Sequence, residues 1–171
     1  MHRFAKVVAS LSLFVAGSVL AADSTVTMSK THLCCGSCVK GAEKAVTSAG
    51  AKATCDKDAG TVTITAPDAA TAQKAVDALV AAGYYGSVNG GATIAADKTP
   101  AGSVKSAEVS GIHNCCKKCT TAINGTVKKV DGAKGEIAPK AETFTITGNF
   151  DAQKLSQALH EAGLNAKIDP K

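Results

Sequence analysis

The sequence repeats itself once, and this duplication constrains the fold more than any other feature of the chain. Residues 32–38 read His-Leu-Cys-Cys-Gly-Ser-Cys, and residues 113–119 read His-Asn-Cys-Cys-Lys-Lys-Cys, 81 positions later. The similarity extends beyond the cysteines, because residues 61–65 (TVTIT) correspond to residues 143–147 (TFTIT). A similarity of this extent indicates a duplicated domain rather than a duplicated short motif.

Both copies show the same order of predicted elements. A strand with alternating apolar residues leads into the cysteine motif, and a helix with apolar residues three or four positions apart follows it. Two strands joined by a turn come next, and then a second helix that ends at Gly83 or Gly163. A last strand completes each copy. This order predicts an α+β fold of two tandem ferredoxin-like βαββαβ domains, each an antiparallel four-stranded sheet with two helices on one face.

The first 21 residues have the layout of a signal peptide. Arg3 and Lys6 precede an apolar run that ends at Leu20, with Ala21 as the expected cleavage position. The run is short for a bilayer span, and no later segment is a candidate, so we expect no membrane span after cleavage. The expected location is the periplasm or the outside of the cell.

Composition indicates where the two domains end and which partners are excluded. A stretch rich in Gly, Ala and Pro predicts a linker at residues 91–102, between a first domain at 24–90 and a second at 103–170. Loss of the signal segment lowers the formal net charge from +5 to +3, and the remaining basic residues are scattered lysines. Because no basic stripe is interleaved with aromatic residues, we expect no nucleic-acid partner.

Six of the seven cysteines fall in the two motifs. Disulfides are the first expectation in an exported protein, but triplets this tight close almost no loop, whereas structural disulfides stabilise by closing long ones. A Cys-x-x-Cys at the start of a helix places two sulfurs where the helix dipole favours thiolates. Neighbouring thiolates suit Cu(I), Zn(II) and other soft ions. The motif therefore favours metal binding, with a dithiol–disulfide redox protein as the alternative.

These residues resemble the heavy-metal-associated domain family, which includes copper chaperones and the periplasmic mercury-binding protein. The resemblance covers nearly the whole chain after the signal segment, twice. The loop of that family reads Gly-Met-x-Cys-x-x-Cys, and the resemblance implies that Cys35 and Cys38, and likewise Cys116 and Cys119, bind the metal. The segment ending in Tyr84 is similar to an aromatic-capped loop beside the metal in that family.

The motif departs from the family pattern at three positions. His32 and His113 stand where the family has Gly, and Leu33 and Asn114 stand where it has Met. Histidine is a frequent metal ligand, so both histidines are candidate ligands. The extra cysteines, Cys34 and Cys115, either join the ligands or point away from the ion.

Three further residues are interpreted without a ligand role. Cys55 corresponds to Ile137 in the second copy, which favours a small buried apolar residue. His160 has no histidine counterpart and is interpreted as solvated. Tyr84 corresponds to Leu164, which favours the edge of the core over a cap on the metal.

The expected function is to bind, sequester or transfer a soft heavy-metal ion of the Cu(I), Zn(II) or Hg(II) class. We expect one ion per domain, with Cu(I) favoured and Zn(II) as the second choice. A metal transporter or another metal-binding protein is the candidate partner, and no catalysis is expected. The predicted metal residues are His32, Cys34, Cys35, Cys38, His113, Cys115, Cys116 and Cys119.

Overall fold

The computed structural model of the protein describes residues 23–171, and the expected signal peptide lies outside them. The described chain is α+β, with four helices and two antiparallel sheets. Within residues 23–171, no helix has the length and apolar character needed to cross a membrane.

The first half of the described chain holds a four-stranded sheet. Its elements are β1 (Ser24–Ser29), α1 (Gly36–Ser48), β2 (Lys52–Asp56), β3 (Thr61–Ala66), α2 (Ala69–Ala81) and β4 (Ser87–Asn89). The strands lie in the order β2-β3-β1-β4, and all neighbours are antiparallel. Alternation in β1 buries Val26 and Met28, and alternation in β3 buries Val62 and Ile64. These side chains pack with buried residues of both helices into one core.

Helix α1 carries one cysteine of the motif into that core. Its buried residues are Cys38, Ala42 and Val46, spaced four apart, so they lie on one face of the helix. The residue that caps its N-terminus is Cys35, in extended backbone conformation. The Cys-x-x-Cys pair therefore straddles the helix start, with its second cysteine held in place by packing.

The second half holds a three-stranded sheet. Its elements are β5 (Ser103–Ser110), α3 (Lys117–Val127), β6 (Thr143–Asp151), α4 (Ala152–Glu161) and β7 (Lys167–Pro170). The strands lie in the order β6-β5-β7, again antiparallel. The apolar faces of α3 and α4 pack against it in a second core.

The second sheet has one strand fewer than predicted, and the Asn124 side chain gives the physical reason. Its Oδ1 accepts a hydrogen bond from the Ile137 backbone N–H at 2.9 Å, and its Nδ2 donates to the Ile137 carbonyl at 3.3 Å. These backbone groups are thereby withdrawn from pairing with β6. Pro139 follows closely and lacks a backbone N–H. Only an isolated bridge between Lys134 and Thr147 forms in this segment.

The two halves contact each other through backbone at two corresponding glycines. The Gly163 carbonyl accepts hydrogen bonds from the backbone N–H groups of His32 and Tyr85, both at 3.1 Å. In the reciprocal contact the Gly83 carbonyl accepts from the Asn165 N–H at 2.9 Å. A Cβ at Gly163 would lie 2.5 Å from the His32 nitrogen, and one at Gly83 would overlap the His113 nitrogen. Each glycine therefore contacts the backbone at the start of the cysteine motif in the other half.

His160 lies at this boundary between the halves and is not solvated as predicted. Its ring stacks on Tyr85, with ring centroids 3.7 Å apart and planes 3° from parallel. Its Nε2 is 3.3 Å from Oδ1 of Asn165, whose amide donates across the boundary to the Val80 carbonyl at 3.0 Å. The ring supports the docking of the halves.

Two alanine substitutions separate backbone strain from the contact between halves. Gly111 and Gly163 have similar left-handed φ angles of 69° and 76°, so each should lose about 1 to 2 kcal/mol of unfolding free energy on substitution by Ala. A Cβ at Gly111 meets open space, whereas one at Gly163 meets backbone of the other half. Gly163→Ala should therefore destabilise clearly more than Gly111→Ala in urea unfolding, and should speed amide exchange at His32. Equal losses would contradict the contact.

Candidate metal centre

The two cysteine motifs are held at the starts of two helices. Cys35 and Cys116 occupy the N-cap positions of α1 and α3, and neither helix start is capped by a side-chain hydrogen bond. Cys38 and Cys119 lie in the first turns and are fully buried, at 0% exposure. Each motif thus places one sulfur in the core and the others at a helix end, where unpaired N–H groups favour negative charge.

The contact between halves brings six sulfurs into one group, which we call the thiol cluster: Cys34, Cys35, Cys38, Cys115, Cys116 and Cys119. Sulfur–sulfur separations across the halves start at 3.3 Å for Cys34 to Cys119 and 3.4 Å for Cys38 to Cys115. The others are 3.6 Å for Cys34 to Cys116, 3.6 Å for Cys38 to Cys119 and 3.8 Å for Cys35 to Cys115. The sequence predicted one ion per domain and left open whether the two domains share an ion, and the structure brings the two motifs together.

These separations match sulfurs that share an ion. With Zn–S bonds of about 2.3 Å, the edge of a tetrahedron of thiolates is about 3.8 Å. A disulfide would need a sulfur–sulfur distance of about 2.05 Å, and all seven cysteines in the described chain are free thiols. The spacing of the cluster is therefore suited to a metal ion between the sulfurs.

All eight predicted metal residues belong to groups of donors that can hold a metal ion, with ligand atoms within 4.8 Å of one another in each group. Each histidine joins sulfurs from both halves. His32 groups with Cys34 and Cys119, and His113 groups with Cys38, Cys115 and Cys119. Cys34 and Cys115, whose direction the sequence left open, lie inside the cluster.

The two histidines have different surroundings. The Tyr84 hydroxyl donates to the Cys38 carbonyl at 2.7 Å and lies 3.1 Å from Nε2 of His113. Because its one proton is given to that carbonyl, the hydroxyl accepts from Nε2–H of His113, which leaves Nδ1 as the nitrogen able to bind an ion. The rings are also stacked, with centroids 4.4 Å apart. Tyr84 is fully buried and positions His113. The sequence did not indicate this role, because the corresponding residue of the second copy is the apolar Leu164.

His32 has no such partner. Its Nε2 is buried and makes no hydrogen bond with the described residues, a state that normally costs free energy. Burial lowers the pKa of His32 from its ordinary value, which favours the neutral imidazole that metals bind. His32 shares a donor group with Cys34 and Cys119, and a metal ion bound there through Nε2 would satisfy this nitrogen, so the residues fit the ion.

Protons are shared unevenly among the thiols. A hydrogen bond from Cys119 lowers the pKa of Cys38 well below its usual range, while the pKa of Cys119 is raised by its hydrogen bond to Cys38. A backbone N–H from Cys119 lowers the pKa of Cys116 to about 6, and burial raises that of Cys34 to about 12. An incoming metal ion must therefore displace protons from the cluster.

Two residues outside the donor set behave as structural residues. Asn114 is buried, and its Nδ2 donates to the carbonyls of Ala138 and Ala141 while its Oδ1 accepts from Thr120. This fixes the second motif on the segment that replaces the missing strand. Cys55 is half-buried on β2, packs against the first core, and belongs to none of the donor groups found in the described chain.

The role of Tyr84 can be tested by removing its hydroxyl alone. Tyr84→Phe keeps the ring but leaves the Cys38 carbonyl without its donor and Nε2 of His113 without its partner, so the unfolding free energy should fall by about 1 to 3 kcal/mol. Tyr85→Phe, which changes no hydrogen bond described above, is the control. Thermal unfolding monitored by circular dichroism measures both, and a Tyr84→Phe variant as stable as the control would show that the hydroxyl does not hold His113.

Comparison with known proteins found no family model, no curated protein and no solved structure that matches this chain. The likeness to heavy-metal-associated domains therefore remains a resemblance in motif and element order. The donor set of the thiol cluster is the observation that supports a function: clustered cysteines and histidine that can bind a metal ion.

Proposed function

We propose that the protein is an exported binding protein that sequesters or transfers a soft heavy-metal ion of the Cu(I), Zn(II) or Hg(II) class. The observation that carries the proposal is the convergence of six thiols and two imidazoles at one place. Thiolates select soft ions over hard ones such as Mg²⁺ and Ca²⁺. Cu(I) is favoured because the donors are mainly sulfur, and Zn(II) can also use the histidines.

The thiol–disulfide alternative uses only part of this arrangement. The lowered pKa values of Cys38 and Cys116 are in its favour, because a thiolate at neutral pH is a good nucleophile. It gives no role to Cys34, Cys115 or the unpartnered Nε2 of His32. A metal ion gives all of them a role.

The fold supports a pair of related domains. The first half has the element order and the strand order β2-β3-β1-β4 that a ferredoxin-like βαββαβ unit requires. The second half follows the same order with one strand missing. We therefore propose two tandem domains of the heavy-metal-associated type, at 24–90 and 103–170, joined by the segment 91–102.

Export and transfer complete the proposal. The expected signal peptide at 1–21 would place the protein in the periplasm or outside the cell. A metal transporter or another metal-binding protein would be the partner, since thiolates exchange soft ions between proteins. The protein would act by binding, without catalysis.

Titration with Cu(I) tests metal binding directly. Reduced, exported protein should bind Cu(I) in competition with a chelator under anaerobic conditions, because the thiolates are neighbours before the ion arrives. Cys55→Ser is the matched control. It should bind as many ions and lose less than about 1 kcal/mol of stability, since its half-buried hydroxyl can reach water. No bound Cu(I), with all thiols shown to be free, would favour the redox alternative.

The unpartnered nitrogen of His32 makes a second, ion-specific prediction. Zn(II) prefers about four ligands, so His32→Ala should weaken Zn(II) binding by at least about tenfold, as expected when a group that supports a site is lost. Cu(I), which needs fewer ligands, should be affected less. His160→Ala is the control, because His160 lies at the same boundary but outside the cluster. Equal effects of the two substitutions on Zn(II) affinity would exclude His32 as a ligand.

A further inference from the structure

We infer that the thiol cluster is one polynuclear centre, in which two or more soft ions are bridged by the sulfurs of Cys38 and Cys119 and bound by both halves together. This inference rests on the proposed metal-binding function. It replaces the expectation of one independent ion in each half.

The number of donors exceeds what one ion can use. Eight candidate ligand residues converge, whereas a soft ion such as Zn(II) takes about four ligands. A single ion would leave about half of these candidate ligand residues without a bond to metal. Two or more ions use the whole set.

Most of the donor groups combine residues of both halves. Three of the four candidate groups contain residues of both motifs, and only the group of Cys34, Cys35 and Cys38 comes from one loop. The shortest sulfur separation, 3.3 Å, joins Cys34 to Cys119 of the other half. Within the motifs, Cys35 and Cys38 are 3.5 Å apart, and Cys116 and Cys119 are 3.8 Å apart. An ion bound by one loop alone would not be bound by both Cys34 and Cys119, the closest pair of sulfurs.

Two sulfurs occupy the bridging positions. Cys38 Sγ lies within 3.6 Å of the sulfurs of Cys34, Cys35, Cys115 and Cys119. Cys119 Sγ lies within 3.8 Å of those of Cys34, Cys38, Cys115 and Cys116. Each belongs to two donor groups, as do Cys34, Cys35 and Cys115, but only Cys38 and Cys119 among the six are fully buried. Because a thiolate sulfur has several lone pairs, it can bind an ion in each group at once.

Charge gives a second reason for more than one ion. Thiolates separated by 3.3 to 3.8 Å repel one another strongly when the site excludes water. Protons reduce this repulsion in the metal-free cluster, and cations must do so once those protons leave. Several cations distributed among the sulfurs neutralise the cluster better than one.

Variants that remove one motif at a time separate a shared centre from two independent sites. The first variant changes Cys34, Cys35 and Cys38 to Ser, the second changes Cys115, Cys116 and Cys119 to Ser, and Cys55→Ser is the control. Native mass spectrometry and Cu(I) titration should show two or more ions in the wild type and in the control. In a shared centre, neither triple variant keeps an ion at wild-type affinity, and we expect at least a tenfold loss in each. Independent sites would leave one ion at unchanged affinity in each variant.

A measurement on the wild type keeps the test valid if a triple variant does not fold. X-ray absorption of the Cu(I)-loaded protein should show a metal–metal scattering vector in addition to the sulfur shell. Its absence, or a limit of one ion per chain, would overturn the polynuclear centre while leaving metal binding intact. No bound Cu(I) at all would overturn the proposed function together with this inference.

Discussion

The reciprocal backbone contact between the halves is the constraint on which the cluster depends. Gly83 and Gly163 lack a Cβ, so each backbone approaches the nitrogen of the histidine that begins the other motif. Without this approach the two motifs would be separate loops on separate domains. With it, Cys34 and Cys119 come within 3.3 Å. Each half is small, and small cores supply little net stability, so this contact and any ion beside it stabilise both halves together.

The sequence was sufficient to predict most of the helices and strands of each copy. Apolar spacing at Val39, Ala42 and Val46 located α1, although the structure buries Cys38 rather than Val39. The repeated motif identified all eight residues of the donor groups. It could not predict how the copies face each other, because an internal repeat carries no information about docking. The absence of the fourth strand could not be predicted either, because it depends on a contact of Asn124 with the backbone of Ile137, 13 positions away. That contact forms only in the folded chain.

The duplicated motifs keep the same donors in unequal surroundings. Tyr84 holds His113 by a hydrogen bond and a stacked ring, while Leu164 offers His32 neither. Leu33 packs in the first core, whereas Asn114 binds the carbonyls of the segment that follows α3. One histidine is therefore positioned before an ion arrives, and the other has a buried nitrogen with no hydrogen-bond partner among the described residues. Ions at the two ends of the cluster would have different environments.

Burial also differs across the cluster, and this bears on how an ion could leave. Cys35, Cys115 and Cys116 form a donor group in which every member is partly exposed, whereas Cys38 and Cys119 are enclosed. A thiolate of the partner must bind the ion before a sulfur of this protein dissociates from it, because a soft ion is held more weakly by water than by thiolates. Under the proposed function, exchange therefore begins at the partly exposed group, and the enclosed sulfurs retain their ions longest. A cluster built in this way can combine storage at its centre with transfer at its edge.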